Sequence, residues 1–399
     1  MKTQTVESEA TTFKACKLTH IFLLALLLAA CSSAPSATPT SPVTPQPPRV
    51  EELTFQSGSF NLVGDLRLPA GSGPFPLVIF VHGSGPNDRI ASGIYLPIMK
   101  RMQQTGYATF AWDKPGTGES TGTFTQEILK HQRAKILLEA IEVMKARPDI
   151  DVRQIGLWGA SQAGYVMPRI FSESEDIAFM ICVSCAGMSG VDQMAFQVTA
   201  LALCSEVPAE QAAEKERLLA ELDQARAYET YEEYLLYRET IAALARIVSA
   251  PIGEWPVLSE TAWQTNDPEI ENWWNPMGVI EQVRFPVLAI YGDQDRQIDP
   301  QQGSIAYRRA LELAGNPKSR VELFAGANHA ILVSESGCPK DQLEQLEQYV
   351  KSLGFASLQE AQEAFLANPD DPRMLEAYPF ALGYLDLIEE WLRNLRDNR

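Results

Sequence analysis

Residues 154–164 read Gln-Ile-Gly-Leu-Trp-Gly-Ala-Ser-Gln-Ala-Gly, an apolar run followed by a turn of small residues around Ser161 and by a helix-like stretch. This order predicts a strand, a tight turn and a helix, with the serine hydroxyl exposed at the turn, an arrangement called a nucleophile elbow. Such a turn is cramped, so the positions that flank the serine must be small. These positions are Gly159, Ala160, Ala163 and Gly164.

Apolar, β-branched and aromatic runs alternate with helix-like segments on both sides of this stretch. The runs are Leu77–Val81, Tyr107–Trp112, Ile155–Trp158, Ile177–Val183, Val287–Tyr291 and Arg320–Phe324. An alternating hairpin precedes them between Glu51 and Leu68. This order predicts an α/β fold with a mostly parallel central sheet and helices on both faces. Ligands of such sheets bind at the carboxyl ends of the strands.

The alternation stops between residues 190 and 277. Residues 208–248 are helix-like and rich in charge, and four tryptophans follow at positions 255, 263, 273 and 274. We interpret residues 190–277 as an inserted helical cap between two parts of one core, residues 51–189 and 278–399. The tryptophans are expected mainly to pack within the cap, with a few of their rings available to line a pocket.

A serine hydroxyl acts as a nucleophile only with a base in hydrogen-bond reach and a group that orients that base. Three histidines follow the leader. His82 opens a glycine-rich turn, and His131 lies among polar residues of a predicted helix. His329 follows the last predicted strand in the sequence Gly-Ala-Asn-His. By elimination and position, His329 is the predicted base.

Three carboxylates follow the strand that ends near Tyr291. Asp299 precedes a proline, which is typical of a helix N-cap. Asp293 directly follows a glycine and is expected to shape the turn. Asp295 is therefore the predicted acid of a Ser161, His329 and Asp295 triad.

Two glycine-rich segments follow other predicted strands. Residues 82–85, His-Gly-Ser-Gly, predict backbone N–H groups that point at a developing oxyanion, with the N–H groups of Ser84 and Gln162 as the pair of donors. Residues 113–120, Asp-Lys-Pro-Gly-Thr-Gly-Glu-Ser, lack the Gly-Lys-Ser/Thr ending of a phosphate loop. We interpret them as a loop that shapes the neighbouring site.

In this order, the motifs at residues 82–85, 113–120, 159–164, 292–295 and 328–329 resemble those of the α/β-hydrolase superfamily. The resemblance is closest to its bacterial esterase, serine-aminopeptidase-like and dienelactone-hydrolase-like branches. It implies an α/β-hydrolase fold, no metal and no cofactor. It also implies the roles given above for Ser161, His329, Asp295, Ser84 and Gln162. Ala163 in place of a glycine, and Ala160 where related esterases often have histidine, are departures that bear on the substrate.

The N-terminus predicts processing. Lys14 and Lys17 precede an apolar run over residues 21–30, which is too short to span a membrane, and Cys31 follows Leu-Ala-Ala. This resembles a lipoprotein signal peptide over residues 1–30 with lipidation at Cys31, the alternative being ordinary cleavage after Ala30. Residues 31–50, rich in Pro, Ser and Thr, predict a tether. An extracytoplasmic protein, lipid-anchored to a bacterial cell membrane, is therefore expected.

Charge and cysteine content restrict partners further. A net charge of −18 argues against nucleic acid as a partner. Cys182 and Cys185 lie in an apolar run that predicts a buried strand, so their side chains are expected to point to opposite faces. A role as buried small side chains is favoured over a metal or redox site. A disulfide between Cys204 and Cys338 is left open.

These features favour a serine hydrolase that cleaves a small-molecule ester or acyl substrate through an acyl-enzyme. An aminopeptidase or amidase with the same triad is the first alternative, and a catalytically silent binding lipoprotein is the second. The oligomeric state and the role of residues 338–382 are left open.

Overall fold

An eight-stranded sheet is the centre of the computed structural model, which describes residues 46–125, 130–224, 229–250, 257, 259–265, 274–368 and 371–397. Its strand order is β1-β2-β4-β3-β5-β6-β7-β8. The strands are β1 (Arg49–Ser57), β2 (Phe60–Leu68), β3 (Phe75–Val81), β4 (Ala108–Trp112), β5 (Ile150–Ala160), β6 (Ile177–Val183), β7 (Val287–Gly292) and β8 (Arg320–Phe324). Strand β2 runs antiparallel to β1 and β4, and the remaining pairs are parallel.

Helices cover both faces of this sheet, as the apolar strands require. All seven residues of β3 are buried, and its alternate side chains enter two different clusters. Helices α2 (Lys130–Lys145) and α9 (Pro300–Ala314) pack on one face. Helices α1 (Tyr95–Gln104) and α12 (Tyr384–Asp397) pack on the other. The predicted α/β architecture is confirmed.

The described part of the chain between β6 and β7 is mainly helical. It contains α4 (Gly190–Cys204), α5 (Ala209–Gln224), α6 (Tyr231–Ile247), α7 (Glu260–Thr265) and α8 (Met277–Ile280), with a short α3 (Ala163–Val166) preceding β6. Helices α4, α5 and α6 form a separate apolar cluster. The domain limits at residues 190 and 277 stay a prediction.

The tryptophans of this region do not share one environment. Trp263 contacts the rings of Tyr231 and Tyr234 within the insertion. Trp274 instead stacks against the Arg169 guanidinium, 4.4 Å from the ring centroid, and packs on the core. Positions 255 and 273 lie outside the described residues.

The segment before the last helix packs on the loop that follows β3. Helices α10 (Pro339–Ser352) and α11 (Leu358–Ala367) and a 3₁₀ turn (Pro372–Glu376) form a cluster with Ile90 and Leu96. The hydroxyl of Tyr378 donates to the Ser92 carbonyl at 3.0 Å. This part of residues 338–382 therefore supports the loop that begins at residue 82.

Two disulfides are present, and one of them corrects an expectation. Cys182 and Cys185, expected to point to opposite faces as unpaired side chains, are joined, with their Cα atoms 5.8 Å apart. Strand β6 ends at Val183 and Ser184 adopts a φ of 48°, so the chain turns and brings Cys185 back to the side of Cys182. Cys204 pairs with Cys338, which links α4 to the start of α10.

The predicted signal peptide over residues 1–30, the lipidation residue Cys31 and most of the tether lie outside the described residues. Strand β1 begins at Arg49, two residues before the predicted start of the core at residue 51. Among the described helices, none combines the length and apolar character needed to span a bilayer.

Candidate active site

Ser161 occupies a sharp turn at the carboxyl end of β5. Its φ of 58° lies in the left-handed region, which costs on the order of 1–3 kcal/mol and is tolerated where surrounding contacts hold it. The Ser161 N–H donates to the Val183 carbonyl at 2.9 Å. A Cβ atom at Gly159 would lie 2.7 Å from the Cβ of Ala163, and one at Gly164 would lie 2.7 Å from the Cβ of Cys185. The predicted strand, turn and helix are confirmed.

His329 and Asp295 form a close pair. The Nδ1 atom of His329 lies 2.8 Å from Oδ2 of Asp295. The other carboxylate oxygen accepts the backbone N–H groups of Gln297 and Ile298, at 2.7 and 2.9 Å. The carboxylate is buried, whereas the imidazole is 15 % exposed. With Nδ1–H donating a hydrogen bond to Asp295, Nε2 is the ring nitrogen that can accept a proton.

The loops after β7 and β8 hold this pair together. A Cβ atom at Gly292 would overlap the Ala327 carbonyl, so only glycine permits this approach of the two loops. The Asn328 side-chain oxygen accepts the N–H groups of Ala330 and Leu332, at 2.9 and 3.0 Å. These contacts set the position of His329.

The other two candidate acids have different roles. Oδ1 of Asp293 accepts the N–H of Gly326 at 2.7 Å and so closes the turn, as predicted. Oδ1 of Asp299 caps α9 by accepting the N–H groups of Gln301 and Gln302, also as predicted. Of the three carboxylates, Asp295 is therefore the one paired with the imidazole.

Ser161, Asp295 and His329 all follow carboxyl ends of parallel strands in the same half of the sheet. In the described part of the chain, no direct hydrogen bond joins Ser161 Oγ to His329. Such contacts are often long in unliganded enzymes and tighten when substrate binds. The triad as a working unit therefore stays a prediction.

The predicted oxyanion donors lie beside the serine. A Cβ atom at Gly83 would lie 3.3 Å from Cβ of Ser161, so the loop after β3 runs directly against the elbow. Within the described chain, neither the Ser84 N–H nor the Gln162 N–H donates to a protein acceptor. Two unpaired backbone donors next to a serine suit a developing negative charge.

Comparison with known proteins identifies the family of this chain. A sequence model described as the alpha/beta hydrolase family matches residues 78–345. The chain belongs to the alpha/beta hydrolase family.

Individual relatives are distant. The esterase EstD of Thermotoga maritima is 25% identical over 281 residues, which cover 69% of this chain and 59% of that protein. The acylamino-acid-releasing enzyme of Rattus norvegicus is 23% identical over 269 residues, which cover 64% of this chain and 29% of that enzyme. This hydrolase thus spans less than two thirds of either relative. The solved structure of the Pyrococcus furiosus esterase Pf2001 is 15% identical, with a TM-score of 0.46, and the match covers 87% of this chain and 92% of that one.

His82 has a structural position in this hydrolase. Its Nε2 donates to the Trp112 carbonyl at 2.5 Å, and Nδ1 lies 3.4 Å from the hydroxyl of Tyr95. Burial, followed by the charge of Lys114, lowers the pKa of His82 to about 3. The ring is neutral and committed to these contacts. His131 is exposed at the start of α2.

The loop over residues 113–120 does not form a phosphate site. The Asp113 carboxylate fills its concave side and accepts the N–H groups of Arg89 and Glu119, at 2.7 and 2.9 Å. The described residues also contain no group of three or more side chains placed to hold a metal ion.

Two cationic side chains of the site were not assigned from the sequence. Nζ of Lys114 donates to the carbonyls of Gly83 and Gly85, at 2.7 and 2.6 Å. The guanidinium of Arg133 donates to the His82 carbonyl and to the side chain of Gln162. The sequence offers a clue to Lys114, because this residue lies in the glycine-rich motif at residues 113–120 next to the site. It offers none to Arg133, because only the packing of α2 brings it there.

Proposed function

We propose that this hydrolase cleaves carboxylic esters through an acyl-enzyme intermediate. The pairing of His329 with Asp295 at 2.8 Å, at the sheet edge that carries the Ser161 elbow, is the observation that carries the proposal. In an α/β-hydrolase elbow, the exposed hydroxyl is the group available to attack an acyl carbon.

The residues have the following roles in the proposed reaction. His329 Nε2 takes the proton of Ser161 Oγ as that oxygen bonds to the acyl carbon. The N–H groups of Ser84 and Gln162 stabilise the oxyanion, and Asp295 holds the imidazolium that forms. The imidazolium then protonates the leaving alcohol. Water, activated by the same imidazole, releases the acid and regenerates Ser161.

Hydrolysis of a p-nitrophenyl ester by the purified protein tests this mechanism. Ser161→Ala is expected to lower kcat by about 10⁴-fold or more, because it removes the nucleophile. Ser172→Ala, which alters an exposed serine, is the matched control. Equal rates for wild type and Ser161→Ala would remove Ser161 from the reaction.

The choice of ester over amide needs a separate comparison. Acyl p-nitrophenyl esters and aminoacyl p-nitroanilides, tested on the same preparation, distinguish an esterase from an aminopeptidase or amidase. We expect higher kcat/KM on the esters. Lack of Ser161 labelling by a fluorophosphonate probe would instead favour a binding protein without catalysis.

We further propose that the chain is lipidated at Cys31 and lies outside the cytoplasm. Two disulfides among the described residues support this, since such bonds persist in oxidising compartments. Metabolic labelling with an alkyne fatty acid in a bacterial host is expected to mark the wild type and Cys16→Ala but not Cys31→Ala. Equal labelling of all three proteins would contradict lipidation at Cys31.

A further inference from the structure

Three carbonyl groups of the loop after β3 accept hydrogen bonds from a lysine and an arginine side chain. Lys114 Nζ binds the carbonyls of Gly83 and Gly85, and the guanidinium of Arg133 binds that of His82. The same guanidinium donates to the side-chain oxygen of Gln162. Lys114 and Arg133 thus connect the loop after β3 to the residue that follows Ser161.

The geometry of the peptide bond makes these contacts directional. In a trans peptide, the carbonyl of one residue and the N–H of the next point in opposite directions. When Lys114 holds the Gly83 carbonyl, the Ser84 N–H must point away from Lys114. A contact with one side of the peptide therefore orients the proposed oxyanion donor on its other side. It also polarises the peptide, which strengthens that donor.

Lys114 is not placed to bind substrate through a charge of its own. Lys114 is 6 % exposed, and its Nζ is taken up by two backbone carbonyls. A cavity of about 20 Å³ lies between Lys114, Arg133 and His82. This volume is about enough for a single water molecule. Lys114 therefore acts through the loop, and Arg133 donates to the same loop and to Gln162.

The contacts of Lys114 do not require its charge. Burial, followed by the charge of Arg133, lowers the pKa of Lys114 to about 6. A neutral amine still has two N–H groups, which match the two carbonyls it binds. The orientation of the loop is thus kept on both sides of that pKa.

We propose that Lys114 and Arg133 are positioning residues for the oxyanion hole. Lys114 orients the Ser84 N–H, and Arg133 fixes the position of the loop after β3 relative to Gln162. This inference rests on the proposed function, because the oxyanion forms only if an acyl group is attacked at Ser161.

Lys114→Met and Arg133→Met in the full chain test this role, with Lys135→Met on the exposed side of α2 as the control. Each of the first two is expected to lower kcat for ester hydrolysis by about 10- to 100-fold, which is less than the loss of about 100- to 1000-fold caused by removing an oxyanion donor outright. KM is expected to change by less than about threefold, since ground-state contacts remain. Lys135→Met should match the wild type.

A trifluoromethyl ketone provides a second measurement, because its adduct with the serine carries the oxyanion. Its affinity should fall in parallel with kcat/KM in both variants, whereas a purely structural defect would lower the active fraction without this parallel. Arg133→Lys keeps a cation but has a single nitrogen in place of the two that bind Gln162 and His82, so it should be intermediate, and it serves if Arg133→Met does not fold.

The outcomes separate the two proposals. If Ser161→Ala is inactive while folded Lys114→Met and Arg133→Met keep wild-type kcat and inhibitor affinity, the positioning role is wrong and the proposed function stands. If Ser161→Ala remains active, the proposed function is wrong, and the positioning role is overturned with it.

Discussion

The two sides of the candidate site are shaped over different distances along the chain. On the elbow side, the turn of Ser161 depends on close contacts between Gly159 and Ala163 within a few residues. On the acid–base side, His329 pairs with Asp295 across 34 residues, and its loop depends on the approach of Gly292. The first kind of constraint can be predicted from a short stretch of sequence, whereas the second depends on how distant segments pack in the fold.

The disulfides follow the same division. Cys182 and Cys185, three residues apart, lie beneath the elbow, where Cys185 contacts Gly164. Cys204 and Cys338, 134 residues apart, lie on the acid–base side. There Gly337 contacts the backbone of the acid loop, the loop after β7 that carries Asp295. One bond secures a local turn and the other secures distant segments.

The largest expected effects come from the acid–base pair itself. His329→Gln should lower kcat by about 10⁵- to 10⁶-fold, and Asp295→Asn by about 10⁴-fold, because the amide favours the wrong tautomer of the ring. Steady-state ester hydrolysis measures both, and His131→Gln on the surface is the control. A His329→Gln enzyme within tenfold of wild type would show that another group is the base.

Removal of each disulfide is expected to lower the free energy of unfolding by a different amount on the two sides of the site. Chain-entropy estimates give about 5 kcal/mol for the loop closed by Cys204 and Cys338, but only about 2 kcal/mol for the one closed by Cys182 and Cys185. Urea unfolding of the two double serine variants measures the difference. If the short loop proved the more stabilising, the division into local and distant constraints would be wrong.

The sequence predicted the parts of the site whose cause is local. The elbow follows from the steric limit on residues beside Ser161, and the cap of α9 follows from Asp299 and the proline after it. Asp295 could be chosen as the acid because Asp293 and Asp299 each have a recognisable local role, in a turn and at a helix N-cap. The sheet was predictable because unbroken apolar strands need cover on both faces.

What escaped prediction depends on tertiary contacts. The pairing of Cys182 with Cys185 requires the backbone turn at Ser184, which strand periodicity does not reveal. Arg133 reaches the site only because α2 packs against the sheet, and no motif marks it. The support given by residues 338–382 to the loop after β3 likewise arises from packing between distant segments.

A pair of glycines on the acid–base side tests how closely the acid loop is held. Gly337 and Gly326 have similar φ values, 72° and 67°. A Cβ atom at Gly337 would overlap the Gln294 carbonyl, whereas one at Gly326 meets nothing within 4 Å. Gly326→Ala should therefore cost only the backbone strain, about 1–2 kcal/mol.

Gly337→Ala should add displacement of the acid loop, with a fall in kcat of about 10-fold or more. Urea unfolding and ester hydrolysis on both variants give the comparison. Equal activity of the two variants would mean that the acid loop tolerates movement and that its packing does not govern catalysis.

The last expected effect is a pH dependence of stability on the elbow side. Burial lowers the pKa of His82 from its ordinary value of 6.5 to about 3. As the pH falls, the imidazole is therefore protonated in the unfolded chain before it is protonated in the folded one. Stability is therefore greatest above pH 6.5 and falls toward pH 3, by about 1.4 kcal/mol per unit at most. His82→Asn carries no group that titrates in this range and should remove this slope. Urea unfolding of both proteins between pH 5 and 6.5 measures it, with His131→Asn as the control. Parallel curves for wild type and His82→Asn would mean that the folded protein admits a charged imidazole beneath the loop, which a buried, close-packed elbow side should not allow.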